Sequence, residues 1–352
     1  MPLKSGGAVD NEKMRGRTNS GLISIGKTSV AKLYTGLIGR ATGTDYVDVV
    51  KTDPETSSMT NITVSGQSHF FVGKHGSFLY ITGVVSDADN TGIVSKVNAD
   101  TLSEVATLTF SAGEELPQSG IIVGDYLYVG LRISPARIVK IDLTTFTEVA
   151  TLTLDAGDDW VLEQESMVAS SGFLYVACYL TTPGRIVKVD LSTFTKTATL
   201  TLSAGEDNPT NLAVSEGMLY VGLDLSPGRV TKINLSTFTK VSTLTLSAGE
   251  NEAWLLVVSG NNLYVICYVT PNKVVKIDLS TFAKVSTLTF TGADEEYAGG
   301  DAIIGSTLYV QCIPSAATQP IVKVDLGTFT ETGRINLDAQ NAGNVARCLF
   351  AL

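Results

Sequence analysis

Short apolar runs alternate along this chain with clusters of Gly, Pro, Ser, Thr and Asn, and the alternation itself repeats. Leu-Tyr pairs put Tyr34, Tyr80, Tyr128, Tyr175, Tyr220, Tyr264 and Tyr309 at intervals of about 44 to 48 residues. A Lys-x-Asp/Asn triplet follows each pair: Lys51/Asp53, Lys96/Asn98, Lys140/Asp142, Lys188/Asp190, Lys232/Asn234, Lys276/Asp278 and Lys323/Asp325. Residues 252–290 show the unit. Leu255-Leu256-Val257-Val258 enters the turn Ser259-Gly260-Asn261-Asn262, and the run 263–269 ends at Pro271-Asn272. Segments 274–279 and 285–290 follow, separated by Ser280-Thr281. These segments are short and rich in β-branched and aromatic types, with no helical period, so they predict four strands. The first two are apolar almost throughout, as strands covered on both faces must be, and the last two alternate with polar residues. We letter them A to D from the axis outward. The repeat predicts an all-β fold: a seven-bladed β-propeller with four antiparallel strands per blade. It spans residues 30–352 and leaves 1–29 as an extended arm.

The chain ends bear on closure, because an open ring exposes a strand edge. The first Leu-Tyr strand, 32–37, has no A strand before it at the usual distance. Beyond the last repeat, Val345-Ala346-Arg347-Cys348-Leu349-Phe350 has the spacing of one. The expectation is that the C-terminal strand joins 32–37, 47–52 and 59–64 to close the ring. Leu22-Ile23-Ser24-Ile25 is the alternative, at a longer gap. The Asp-x-Ser/Thr-Thr-Phe segment predicts an Asx turn between strands C and D. Its Phe (Phe146, Phe194, Phe238, Phe282, Phe329; Leu102 in the second blade) is expected to plug the gap between adjacent blades.

Composition supports a large core, with 44% hydrophobic and 17% charged residues in 352, unlike a disordered chain. No apolar run reaches the length of a membrane span, so no membrane insertion is expected. Residues 1–26 carry scattered charges and no apolar stretch, so no secretory signal is expected. The net charge of −10 is uneven: up to Arg40, seven basic residues face Asp10 and Glu12. A basic arm, with Lys4, Lys13, Arg15 and Arg17 as its candidate partner-binding residues, thus precedes an acidic ring.

The acidic charge concentrates in the D–A loops: Glu114-Glu115, Asp158-Asp159, Glu206-Asp207, Glu250 and Glu252, and Glu295-Glu296. These loops share one face with the B–C loops, which carry Arg137, Arg185, Arg229 and Lys273. Two readings stand: ion pairing between loops, or an acidic rosette for a cation or a basic partner. Nucleic acid would be repelled there.

Cys178, Cys267 and Cys312 occupy one repeat position that other blades fill with Leu131 and Leu223, which makes it a core position. Cys348 lies in the C-terminal strand. The only histidines, His69 and His75, sit six residues apart in one blade and make a poor metal cage. No nucleophile elbow or phosphate loop is present, so no catalytic, metal or cofactor residues are assigned and the chain is read as non-enzymatic.

At Leu219-Tyr220-Val221 and Val275-Lys276-Ile277-Asp278 the repeat resembles the YVTN-type β-propeller repeats of archaeal and bacterial surface proteins. That resemblance implies binding or scaffolding. The expected role is a structural or binding propeller, a virion component made in the host cytoplasm (a capsid or tail decoration) and anchored to other protein subunits by its arm. A cell-surface or secreted adhesion propeller is the alternative. A lactonase- or lyase-type enzyme with a metal in the channel near His69 is the third reading.

Overall fold

A computed structural model describes residues 32–39, 48–86, 88–162, 165–292, 297–313, 319–337 and 344–351. The arm residues Lys4, Lys13, Arg15 and Arg17, the alternative strand 22–25, and Glu295 and Glu296 lie outside them. The chain first lays down β1 (Leu33–Gly39), β2 (Asp48–Thr52) and β3 (Met59–Thr63), one strand short of a blade. Six four-stranded antiparallel blades follow, each from one continuous stretch. The first holds β4 (Gln67–His75), β5 (Phe78–Ser86), β6 (Asp89–Asn98) and β7 (Glu104–Thr109). The next holds β8 (Pro117–Val123), β9 (Tyr126–Leu131), β10 (Arg137–Asp142) and β11 (Thr147–Thr153). Then come β12 (Met167–Ser170), β13 (Phe173–Cys178), β14 (Arg185–Asp190) and β15 (Thr195–Thr201). They are followed by β16 (Pro209–Ser215), β17 (Met218–Leu223), β18 (Arg229–Asn234) and β19 (Thr239–Thr245). The fifth holds β20 (Ala253–Ser259), β21 (Asn262–Cys267), β22 (Lys273–Asp278) and β23 (Ala283–Thr289). The sixth holds β24 (Tyr297–Ile304), β25 (Thr307–Ile313), β26 (Gln319–Asp325) and β27 (Thr330–Leu337).

The strand missing from the first sheet comes from the other end of the chain. β28 (Asn344–Ala351) pairs antiparallel with β1, from Leu33 opposite Ala351 to Gly39 opposite Asn344. This composite sheet has the order β28-β1-β2-β3. Around the axis the innermost strands adjoin in the order β28, β4, β8, β12, β16, β20 and β24, and β24 adjoins β28.

The core lies between blades rather than within one. Each buried cluster among the described residues joins two neighbouring sheets, as where Val265 and Val275 meet Tyr220 and Val230. Leu33, Leu349 and Ala351 of the composite sheet pack on Tyr309, Ile321 and Leu337 of the last blade. Tyr34, Ile62 and Val64 pack on Leu79 and Val97 of the first contiguous blade. Inner strands buried on both faces need apolar residues at every position, which is the continuous pattern seen in sequence. Cys178, Cys267 and Cys312 are buried in these clusters, and burial pushes the Cys178 and Cys267 thiols up. The side chain of Cys348 lies outside the described ones.

The repeated polar residues fasten neighbouring blades near the rim. In each C–D turn an Asp or Asn oxygen accepts backbone N–H groups two or three residues on: Asp142 from Thr144 at 2.8 Å, Asp190 from Ser192 at 2.8 Å, Asn234 from Ser236 at 2.9 Å. These bonds, led by those from the neighbouring hydroxyls, hold Asp142 and Asp190 below the ordinary carboxylate range. The turn sets Phe146, Phe194, Phe238, Phe282 and Phe329 at φ of 49 to 55°, an unusual conformation for a bulky residue. Each ring lies against the Leu-Tyr tyrosine of the preceding blade: Tyr128–Phe194 at 5.6 Å, Tyr175–Phe238 and Tyr264–Phe329 at 5.8 Å. The triplet lysine stands over both rings, Lys140 at 5.7 Å from Tyr128 and 5.6 Å from Phe194. Where the composite sheet interrupts the pattern, Lys323 donates instead to the Pro54 carbonyl at 2.7 Å.

Candidate functional site

Chain direction sorts the loops onto two faces. D–A and B–C loops lie together at one mouth of the channel; A–B and C–D turns lie at the other. At the first mouth a cavity of about 380 Å³ is lined by Arg132, Trp160, Leu162, Tyr179, Asp224, Glu252, Trp254, Tyr268, Ala298 and Gly299.

Its side chains stand on a repeated backbone frame. The residue closing four of the D–A loops is left-handed: Leu116 at φ 52°, Trp160 at 47°, Asn208 at 51° and Glu252 at 52°. Its carbonyl accepts the N–H of the residue just after strand B. These bonds are Arg132 to Leu116 at 2.9 Å, Tyr179 to Trp160 at 2.9 Å, Asp224 to Asn208 at 3.1 Å and Tyr268 to Glu252 at 3.0 Å. Four consecutive blades thus mount Arg132, Tyr179, Asp224 and Tyr268 on one local geometry. Holding non-glycine residues there costs free energy, and such strain gathers at functional sites.

The aromatic walls meet at angles. Trp254 lies 5.2 Å from Tyr268 at 40° and 6.4 Å from Tyr179 at 80°. The Arg132 guanidinium stacks over Trp160 at 4.5 Å. Tyr179 donates its hydroxyl to Asp224 at 2.7 Å. Burial first, and then the Asp224 charge, push the Glu252 carboxyl up. The mouth therefore combines stacking surfaces, one guanidinium and two carboxylates.

Further along the inner strands lies a second polar group. Asp301, two residues beyond Gly299, is 4% exposed, and its Oδ2 has no hydrogen-bond partner among the described residues. Burial pushes its carboxyl up to about 7. Glu165, at the repeat position that Trp254 fills two blades on, is raised well above its ordinary value by burial and by the Asp301 charge. Two carboxyls thus approach one another inside the ring.

The acidic loops divide into two classes, and the buried class, Glu114, Asp158, Glu206 and Glu250, is not presented to a partner. Glu114, Asp158, Glu206 and Glu250 are 4%, 0%, 6% and 5% exposed. A buried carboxyl either finds partners that satisfy its charge or, like Asp301, holds its proton more tightly. Glu206 accepts the Ser203 N–H at 2.9 Å and, from β19 of the next blade, Lys240 Nζ at 2.9 Å and the Thr243 hydroxyl at 2.6 Å. Glu250 repeats this with Ser247 at 2.7 Å, Lys284 at 2.8 Å and Thr287 at 2.6 Å. Asp158 is held by Lys196 at 2.8 Å and Arg185 at 3.0 Å. Except for Arg185, which also pairs with Asp158, the B–C loop cations expected to pair these acids reach loop carbonyls instead: Arg137 to Gly113 at 2.9 Å, Arg229 to Gly205 at 2.8 Å and Lys273 to Gly249 at 2.7 Å. Of the remaining acids, Glu115 is exposed and Asp159, Asp207 and Glu252 are half-buried.

Where β15, β19 and β23 supply Lys196, Lys240 and Lys284, the same register position is Glu104 in β7, Glu148 in β11 and Glu331 in β27. At β11 this breaks the staple, and burial together with Glu148 pushes the Glu114 carboxyl up. Replacing Glu148 with Lys is expected to raise stability by about 1 kcal/mol at pH 7 by restoring the pair. Denaturant midpoints of the two proteins check this, and a lower midpoint for Glu148→Lys contradicts it.

His75 pairs with Asp125 at 3.0 Å and stands at an A–B turn, on the face away from the cavity. The His69 side chain lies outside the described ones. Among the described residues no group of three or more His, Cys, Asp or Glu is placed to hold a metal ion. No helix there is long and apolar enough to cross a membrane.

Sequence reasoning reached only Glu252 of the cavity residues. The signal that would have found the rest is internal: strand C, the C–D turn and strand D are nearly the same in these blades, whereas the loop-closing position is Leu116, Trp160, Asn208 and Glu252 and the position after strand B is Arg132, Tyr179, Asp224 and Tyr268. Both tryptophans of the chain, Trp160 and Trp254, fall at this mouth.

No family model and no curated relative matches the chain. Among solved structures it is similar to the computationally designed Ika8 protein, with TM-score 0.59 and 12% identity over 85% of this chain and 86% of that one. It is also similar to the hydrazine synthase of Kuenenia stuttgartiensis, with TM-score 0.57 and 20% identity over 72% of this chain and 76% of that one. At these identities the likeness establishes the β-propeller fold, which hosts many functions.

Proposed function

We propose that this chain is a non-enzymatic binding propeller, a structural component of an assembly that recognises its ligand at the aromatic channel mouth. One observation carries this reading: blades otherwise nearly alike diverge where their loops converge on the cavity. A repeat kept for packing alone has no reason to vary there in concert. In the finer reading the composite sheet is a seventh blade that locks the ring through both chain ends, and the blades are YVTN-like. The assembly is a virus particle, with the ring a capsid or tail decoration anchored by residues 1–29 to other protein subunits. The contrast between the basic arm and the acidic remainder supports separate partners for the two. An adhesion propeller at a cell surface would use the same mouth, so the aromatic cavity favours that second reading as well.

The test compares the full chain with a chain beginning at Val30, by light scattering and by co-sedimentation with the particle or cell it is made in. Arm-dependent association, with the cavity variant Trp254→Ala still associating, is expected. Equal association of both lengths contradicts the anchoring role. Recovery of the bound ligand in chemically altered form contradicts the non-enzymatic one.

A further inference from the structure

We infer that the channel-mouth cavity takes a saccharide of one or two rings; the inference rests on the binding reading above and names the class of ligand. Three features of the mouth select this class. The first is the aromatic corner of Tyr179, Trp254 and Tyr268, whose rings meet at 40° and 80°. Such walls offer flat apolar surfaces in more than one plane, matching the C–H faces of a pyranose. The second is the mixed polar rim: Arg132 supplies donors, and Asp224 and Glu252 supply acceptors. Sugar hydroxyls both donate and accept, so a rim of both kinds is complementary to them. The third is size, because about 380 Å³ sits at the lower end of the range for small-molecule sites, roughly 300–1,000 Å³.

The competing class is an organic cation, since aromatic walls and carboxylates also form cages for ammonium groups. Arg132 decides against it. Its guanidinium already occupies the face of Trp160 at 4.5 Å, so one wall is taken by a positive charge that repels a second. A neutral polyhydroxylated ligand meets no such penalty, and it gains the guanidinium as a donor. Asp224 is held in place by the Tyr179 hydroxyl at 2.7 Å, so one acceptor is fixed before a ligand arrives, which lowers the ordering cost of binding.

The test exploits an accident of composition. The chain has two tryptophans and both line this cavity, so tryptophan emission reports on this site alone. The full chain is titrated with glucose, galactose, N-acetylglucosamine, N-acetylneuraminic acid, lactose and maltose, and separately with choline and trimethyl-lysine. A saturable change in emission with at least one of the sugars is expected. Asp224→Asn should weaken it by about tenfold, whereas Val285→Thr on the outermost strand should leave it unchanged. Melting curves confirm that each variant is folded. Saturation by choline or trimethyl-lysine with no response to any sugar overturns the saccharide assignment and leaves the binding site standing. A sugar response that survives Asp224→Asn unaltered overturns the placement of the ligand. No response to any probe overturns the saccharide inference, and it overturns the binding reading too if ligands found by array screening are retained equally by Trp254→Ala.

Discussion

Ending the chain at Leu337 is expected to abolish the native fold at 25 °C. The deletion removes β28, and with it the partner of β1 from Leu33 to Gly39. Leu349 and Ala351 leave the cluster that holds the composite sheet to the last blade. Burial of a leucine is worth roughly 2 kcal/mol, and an exposed strand edge forfeits several backbone hydrogen bonds at ~1 kcal/mol each. The inner faces of β24 and β4 lose cover as well, since β28 stands between them. Together these losses rival the whole stability of a typical domain, about 5–15 kcal/mol. The unpaired β1 edge should also promote association. Circular dichroism and light scattering of the truncated chain check this. A soluble monomer melting within about 5 °C of the full chain contradicts it.

Asp301→Asn is expected to stabilise the protein at neutral pH and to flatten its pH dependence. Asp301 is buried with a carboxyl raised to about 7, and Glu165 beside it is raised too. A raised acid costs nothing at pH values where folded and unfolded chains are both protonated. As pH climbs past the ordinary carboxylate value the unfolded chain ionises first, so stability falls until the folded group ionises near 7. The C–D turn carboxylates act oppositely. Asp142, Asp190 and Asp278 are lowered by their hydroxyl and backbone donors, so their contribution is present above the ordinary value and lost on acidification. The wild-type melting temperature should therefore peak at mildly acidic pH and decline toward 7. The Asn variant should lose less stability across that window, the remaining decline coming from Glu165, which its own burial keeps raised, and should gain on the order of a few kcal/mol at pH 7.5. Thermal melts of both proteins from pH 3 to 8 decide the matter. A variant that melts below wild type at pH 7.5, with the decline unchanged, contradicts the account.

The fold was legible because a propeller repeats its interface, and so repeats the residues that make it. The Tyr, Lys and Phe that recur in sequence are the three members of one contact between neighbouring blades, as in Tyr128, Lys140 and Phe194. The Asx turns were legible because their chemistry is local, with donor and acceptor two residues apart. The buried class of loop acids was not, because Glu206 and Lys240 lie on different blades and only the ring brings them together. The cavity was less legible still. Arg132, Tyr179, Asp224 and Tyr268 come from four blades, and none stands in a motif. Their meeting follows from the ring rather than from any run of sequence. The influence of the Asp301 charge on Glu165 has the same origin.

Central to the proposed reading of scaffold and mouth is a ring held shut by pairing of β28 with β1. Hydrogen exchange read by mass spectrometry on the full chain tests this most directly. The account predicts that amides of 344–351 and 33–39 exchange together, as slowly as those of inner strands β16 and β20. Exchange of 344–351 within seconds, while β16 and β20 stay protected, would contradict it.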